Sequence, residues 1–80
     1  MKIEVLFFAQ LAETFGPRCE IKTREGSSIA GVVDPFFEKS QDLEALRDSI
    51  VYAVNERYET SDAVLYDGDR LAILPPMSGG

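Results

Sequence analysis

The alternation of apolar and polar positions divides this chain into short elements. Segments with a two-residue period, rich in β-branched and aromatic side chains, are typical of strands, and apolar residues at three-and-four spacing are typical of an amphipathic helix. These patterns predict strands at 2–8, 18–24, 50–54, 57–59, 64–66 and 70–74, a helical turn at 9–15, a main helix beginning near 29 and a short helix within 40–48.

The first predicted strand carries apolar residues on both of its faces. Ile3, Val5 and Phe7 fall on one face, and we expect them to point into the core. Leu6 and Phe8 fall on the opposite face, where they either meet another element or form an exposed apolar patch.

The main helix has a clear start and an irregular middle. Ser28 is expected to cap it, and its apolar residues form one stripe that faces a sheet. Pro35 lacks an amide donor and its ring collides with the carbonyl of Gly31, so we expect a kink, or a restart capped by Asp34. A shorter helix is predicted to follow, with its cap near Asp42.

The order strand, strand, helix, then further strands predicts an α+β fold of two layers. This order matches a β-grasp, or ubiquitin-like, fold: a mixed sheet of about four to five strands packed on one main helix. In that fold the first and last strands are parallel neighbours. Eighty residues form one domain, which we place at 1–74, followed by an extended tail at 75–80.

The tail reads Pro75-Pro76-Met77-Ser78-Gly79-Gly80. Two prolines end sheet pairing and favour an extended exit, while the two glycines remove every Cβ from the tip. Six residues at about 3.3 Å each reach roughly 20 Å, enough to bring the terminal carboxylate into a partner's active site. A carboxylate is a poor electrophile and needs activation. By itself a terminal Gly-Gly also fits a plain flexible end.

Composition narrows the possible functions further. Acidic residues outnumber basic ones by 14 to 8, and no basic stripe is present, so nucleic-acid binding is not expected. There is no histidine and only one cysteine, which argues against a metal site and against catalysis by the chain alone. Neither an N-terminal signal segment nor a bilayer-spanning apolar run is recognisable, and we expect a cytoplasmic protein without membrane contact.

Three other residues invite a chemical reading and are better explained by structure. Cys19 could carry a persulfide, but on an alternating strand it is expected to be a small buried hydrophobic residue. Asp67 and Asp69 look like a carboxylate pair, but because they flank Gly68 they are expected to form a turn.

Three segments carry a family resemblance: Val-Leu-Phe-Phe-Ala-Gln-Leu at 5–11, Ala-Val-Asn at 53–55, and 67–80, where Asp-Gly-Asp leads through Leu-Ala-Ile to Pro-Pro-Met-Ser-Gly-Gly. Over nearly its whole length the chain resembles the small subunits of molybdopterin synthase, within the larger group of ubiquitin-like sulfur carriers. It departs from their usual pattern at Arg70, at Pro35 and in the acidic stretch 34–48, which bears on partner recognition and leaves the tail unchanged.

The resemblance implies a function for the tip of the tail. Gly80 would be adenylated with ATP by a ubiquitin-activating-like adenylyltransferase and converted to a thiocarboxylate by a sulfurtransferase or other persulfide donor, with no cofactor held by the chain. Gly79 would keep the tip slender. The tail would then enter the large catalytic subunit, within a heterotetramer, and its sulfur would convert cyclic pyranopterin monophosphate into the molybdopterin dithiolene.

The resemblance also implies a docking surface. Its expected members are Leu6 and Phe8 on the first strand and Pro75, Pro76, Met77 and Ser78 in the tail. Two alternatives stay open at this point. One is the same carrier chemistry serving thiamine thiazole synthesis or another acceptor. The other is a ubiquitin-like modifier conjugated through Gly80, or a binding module that uses no terminal chemistry.

Overall fold

The computed structural model describes residues 1–76 and contains five strands in one mixed sheet. The strand order across the sheet is β2-β1-β5-β3-β4. The elements along the chain are β1 (Lys2–Phe7), α1 (Gln10–Phe15), β2 (Arg18–Lys22), α2 (Ile29–Lys39), α3 (Gln41–Ala45), a 3-10 turn (Arg47–Ser49), β3 (Val51–Val54), β4 (Arg57–Glu59) and β5 (Arg70–Leu74).

The predicted β-grasp is confirmed in its most specific feature. β1 and β5 are parallel neighbours, with Val5 opposite Leu71, while β2, β3 and β4 add antiparallel strands on either side. The side-chain period of two then assigns each strand residue to one of two sheet faces.

One face, here called the covered face, packs against the helices. The predicted inward residues Ile3, Val5 and Phe7 all lie on it and are buried. Phe7, Phe15 and Phe36 form an aromatic cluster, with the Phe7 ring centroid 5.0 Å from that of Phe15 and 5.2 Å from that of Phe36. The rest of the core comprises Leu11, Ile29, Val32, Val33, Phe37, Leu43, Ile50, Tyr52, Leu65, Leu71 and Ile73.

The main helix α2 continues through its proline. It spans Ile29–Lys39 as one element with Pro35 inside, so the restart predicted at Asp34 is wrong. An interior proline costs about 3 kcal/mol, whereas full burial of one large apolar side chain contributes about 1.5–3 kcal/mol. Val33 and Phe37, on either side of the proline, are both buried, and we infer that their burial holds the helix together.

Serine caps set the starts of α2 and α3. The Ser28 hydroxyl accepts a hydrogen bond from the Gly31 amide at 3.2 Å, as predicted for α2. In α3 the Ser40 hydroxyl accepts from the Leu43 amide at 3.2 Å, so the cap lies two residues before the predicted Asp42. Serine and aspartate are equally good caps, which explains why the sequence did not distinguish them.

The predicted strand at 64–66 is wrong. Val64 forms only an isolated bridge to Ser28, although Leu65 between its two exposed neighbours is fully buried. The alternation of Val64, Leu65 and Tyr66 therefore predicted correctly which side chain is buried, although it did not predict the secondary structure. The segment lies along the start of α2 rather than beside a strand, and for this reason it cannot extend the sheet.

Candidate functional site

The second sheet face, here called the open face, is not covered by a helix within residues 1–76. Cross-strand register places Leu6 of β1 beside Ala72 of β5, which lies opposite Ala53 of β3. Val51 lies opposite Leu74 in the same way. Leu6 is half-buried. The predicted second apolar face of β1 is therefore continued by small and aliphatic residues of β5 and β3.

The apolar part of the open face ends in a groove where the tail begins. Because β1 and β5 are parallel, their carboxyl ends lie at the same edge of the sheet. Phe8, directly after β1, thus lies beside Pro75 and Pro76, directly after β5. This feature, here called the tail groove, encloses about 690 Å³ and is lined by Phe8, Ala9, Gln10, Val51, Tyr58, Leu74, Pro75 and Pro76.

Large apolar side chains of the tail groove are exposed. Phe8 is 44% exposed, Val51 45% and Tyr58 78%. Isolated exposed apolar residues are ordinary, but a contiguous set that lines one groove is typical of a protein–protein contact. Aromatic residues such as Phe8 and Tyr58 also supply much contact area at low conformational cost.

A tight turn positions the edge of the groove. The Leu11 amide donates to the Phe8 carbonyl at 3.1 Å, which closes a four-residue turn between β1 and α1. Ala9, the second residue of that turn, has φ 52° and ψ −132°, as expected for the first central residue of a type II′ turn. The turn ends the strand so that Phe8 remains at the sheet edge while Leu11 enters the core.

The other end of the open face is charged. A Glu4 carboxylate oxygen lies 3.1 Å from Nε of Arg70, and its second oxygen lies 3.9 Å from a guanidinium nitrogen of Arg18. One carboxylate on β1 is therefore shared by arginines from the two neighbouring strands. These three residues, here called the charged row, do not line the tail groove. Arg70, at which the chain departs from the pattern that it resembles, is therefore outside the groove.

The remaining candidates of the sequence have structural roles. The Asp67 carboxylate accepts from the Lys2 amide at 2.7 Å, and the Asp69 carboxylate accepts from the Tyr66 amide at 2.8 Å, so their assignment as turn formers is confirmed. Cys19 lies on the covered face, half-buried rather than buried, and burial raises the pKa of its thiol despite the nearby Lys39 cation.

A cleft of about 440 Å³, lined by both polar and apolar side chains, lies beside β3 and β4 and includes Arg47. The guanidinium of this residue binds the carboxylates of Asp34 and Glu44, and hydrogen bonding to Asp34 raises the pKa of Arg47. It also lies 4.4 Å above the Phe37 ring. These contacts tie α2 to the acidic segment that follows it and account for the arginine structurally.

Neither a spanning helix nor a metal cluster is found in the part of the chain that the structure describes. No helix of residues 1–76 has the length and apolar character needed to cross a membrane. The same residues contain no group of three or more His, Cys, Asp or Glu side chains arranged to hold a metal ion.

The structure thus places three predicted docking residues, Phe8, Pro75 and Pro76, in one groove, with Leu6 nearby on the same face. Met77, Ser78, Gly79 and Gly80 lie outside the described residues, so their roles stay predictions. Sequence reasoning missed the other groove residues. The alternation of Arg57-Tyr58-Glu59 could have identified one of them, because it places Tyr58 alone on the face opposite its charged neighbours.

Comparison with known proteins agrees with this geometry. The model of the ThiS family matches residues 5–80. The molybdopterin synthase sulfur carrier subunit of Arabidopsis thaliana is 40% identical over 81 residues, which cover 100% of this chain and 84% of the relative. The human protein of the same name is 35% identical, with 99% of this chain and 94% of the relative covered.

Solved structures agree in fold. SAMP1 from Haloferax volcanii matches with a TM-score of 0.82 at 26% identity, with full coverage of both chains. A putative molybdopterin converting factor subunit 1 from Pyrococcus furiosus matches at 0.80 and 27%, covering 96% and 99% of the two chains. A complex of subunits 1 and 2 of the molybdopterin-converting factor from Helicobacter pylori matches in fold at 0.68 and 23%, with both matched chains fully covered. This chain belongs to the ThiS family and, within it, to the molybdopterin synthase sulfur carrier subunits.

Proposed function

We propose that this protein carries sulfur for molybdopterin synthase as a thiocarboxylate on Gly80. The observation that carries the proposal is the tail groove: exposed apolar side chains surround the point at which the tail leaves the sheet. A partner that binds this groove receives the tail at the same place. Full-length similarity to the sulfur carrier subunits supplies the identity of the cargo.

The chemistry requires activation by another protein. The Gly80 carboxylate attacks the α-phosphate of ATP, which gives an acyl-adenylate and releases pyrophosphate. A persulfide sulfur then attacks the carbonyl carbon and AMP leaves. A thiol cleaves the resulting acyl disulfide, leaving the thiocarboxylate on the chain and a disulfide on the donor. The chain contains no histidine to serve as a general base, so the activating enzyme and sulfur donor supply these steps.

The tip of the tail suits both transfers. Glycine places no side chain beside the carbon that is attacked, and Gly79 adds none to the segment before it. Cys19 does not take part in this proposal, because it lies on the covered face, whereas the tail groove opens on the other face.

The large synthase subunit is the proposed acceptor. The Helicobacter pylori structure of the same fold is a complex of two converting-factor subunits, which supports docking of a small subunit on a large one. We place Phe8, Val51 and Tyr58 in that contact, with Leu6 at its margin. The proposed assembly is a heterotetramer of two carriers on a dimer of large subunits, in which each tail reaches one active site.

Intact-mass measurement tests the proposal directly. After incubation with its activating enzyme, ATP and a persulfide donor, the chain should gain the mass difference between sulfur and oxygen, and should then support dithiolene formation by the large subunit. Deletion of Gly80 should abolish both results. The matched control is Gly31→Ala, because this exposed glycine of α2 has an ordinary helical backbone with room for a Cβ and lies outside the tail groove.

Other outcomes would contradict the proposal. Full sulfur transfer by the chain lacking Gly80 would place the chemistry elsewhere. Isopeptide-linked products without any thiocarboxylate would identify a modifier. A thiocarboxylate that serves a thiazole-forming synthase and not the large subunit would identify a carrier with another acceptor.

A further inference from the structure

The backbone of Ala9 has a conformation that alanine avoids. Its φ of 52° and ψ of −132° are those of the first central position of a type II′ turn, which glycine normally occupies because a Cβ is sterically unfavourable there. Two other non-glycine residues, Asn55 and Glu56, also have positive φ, but they form the two-residue loop between β3 and β4, where positive φ is the rule.

The fold offers no reason for the Ala9 methyl group. Ala9 is exposed, and it makes no side-chain capping bond to α1. The turn is held by backbone bonds from Leu11 to Phe8 and from Ala12 to Ala9, which a glycine would form equally well. By contrast, the side chain of Asn55 donates a hydrogen bond to the Asp69 carboxylate and accepts one from the Arg70 amide. The positive φ of Asn55 therefore accompanies contacts that stabilise the fold.

The position of the methyl group is informative. Ala9 lines the tail groove, together with its neighbours Phe8 and Gln10 and with Pro75 and Pro76 of the tail. Backbone strain that the fold does not require is found most often at binding and active sites. The strain at Ala9 destabilises the isolated chain. The methyl group nevertheless lies at the rim of an apolar groove, where a bound partner can contact it.

We propose that Ala9 is a binding residue, whose methyl group packs against an apolar side chain of the large synthase subunit when that subunit receives the tail. The inference rests on the proposed function and adds a contact to it. In this arrangement the alanine methyl group lowers the stability of the isolated chain and fills a space at the rim of the docked groove that glycine would leave empty.

The test compares two identical substitutions. Ala9→Gly removes the methyl group and relieves the strain, whereas Ala45→Gly removes a methyl group from an exposed helical position outside the groove. In urea unfolding, Ala9→Gly should raise the midpoint and Ala45→Gly should lower it. Affinity for the purified large subunit should fall about fourfold for Ala9→Gly, the worth of one buried methyl group, and should not change for Ala45→Gly.

A third variant separates contact from backbone effects. Ala9→Ser keeps a Cβ, and with it the backbone restriction of the natural chain, but adds a hydroxyl to the proposed apolar contact. It should therefore have a lower urea midpoint than Ala9→Gly and still bind the large subunit more weakly than the natural chain does. A lower urea midpoint for Ala9→Gly than for the natural chain would overturn the inference, and so would unchanged affinity of Ala9→Gly or of Ala9→Ser. Both measurements use the chain before sulfuration. A negative result for Ala9 would therefore leave the proposed role of Gly80 unaffected, and that role is tested separately by the intact-mass experiment.

Discussion

The two faces of the sheet share every strand and yet differ in what they do. On the covered face, alternating residues of β1 and β5 such as Val5 and Leu71 are completely buried against helices and loops. On the open face, their immediate neighbours form an apolar half that leads to the tail groove and a charged half around Glu4. The same alternation that builds the core therefore also builds the surface that we propose for docking.

This difference teaches where stability and function reside. Burial of apolar area dominates the free energy of folding, so residues of the covered face should control it. Exposed residues at the tail groove have solvent in place of packing partners, and in the proposed complex they become buried when the partner docks. A residue's face should therefore predict which measurement its substitution changes.

Adjacent phenylalanines provide the strongest test of this separation. Phe7 is 3% exposed and contacts two other aromatic rings, whereas Phe8 is 44% exposed in the tail groove. Phe7→Ala should lower the free energy of unfolding by about 3–5 kcal/mol, measured in urea. Phe8→Ala should change it by less than about 1 kcal/mol and weaken binding of the large subunit by about 10- to 100-fold.

Since Phe7→Ala removes a large share of the stability of a small domain, Phe7→Leu is the variant to use if the alanine protein does not fold. It should still lose more stability than Phe8→Leu. If Phe8→Ala destabilised the fold as much as Phe7→Ala, or left binding of the large subunit unchanged, the division of roles between the faces would be wrong.

The sequence predicted the architecture well because its strongest signals are local. Alternation in β1 and β5 identified their buried residues, and the apolar spacing of α2 identified its packed face. The restart expected near Pro35 and the strand expected at 64–66 were wrong because tertiary packing decided both. Burial of residues such as Phe37 outweighs the proline, and the partner of 64–66 is the start of a helix.

The tail groove was predicted only in part for a related reason. Phe8 and Pro75 carry recognisable signals in their own segments. Val51 and Tyr58 reach the groove only because β3 and β4 pair beside β5, and the strain at Ala9 depends on the turn geometry. Long-range pairing and backbone dihedral angles are not encoded in a local residue pattern, so these groove residues required a structure.

The charged half of the open face should respond to substitution more weakly than either phenylalanine. Glu4 attracts Arg70 and Arg18, but it also lies opposite Glu20 in the register of β1 and β2. Glu4→Gln should lower the free energy of unfolding by about 0.5 kcal/mol, since exposed ion pairs contribute about 0.2–1 kcal/mol and relief of repulsion returns part of the loss.

Glu20→Gln is the matched control because it removes only the repulsive partner, and it should stabilise the protein slightly. Urea unfolding at low salt and at about 1 M salt should show both effects shrinking as charges are screened. Equal destabilisation by the two substitutions would mean that the charged row is not organised around Glu4.

The smallest expected effect concerns Cys19 on the covered face, and its sign follows from burial. Burial raises the pKa of the thiol above its ordinary value of 9.0, and the Lys39 cation opposes this only in part. As pH rises, the unfolded chain loses the thiol proton first, so the contribution of Cys19 to stability is full below the unfolded pKa and is lost as pH rises through the folded pKa. In urea unfolding at pH values from 7 to 10, the free energy of unfolding should therefore fall slightly more steeply with pH for the natural chain than for Cys19→Ala. Alkylation of Cys19 by iodoacetamide should also be slower in the folded protein than in the protein unfolded by urea. If Cys19 reacted in the folded protein as fast as in the unfolded chain, the thiol would belong to an accessible surface rather than to the covered face.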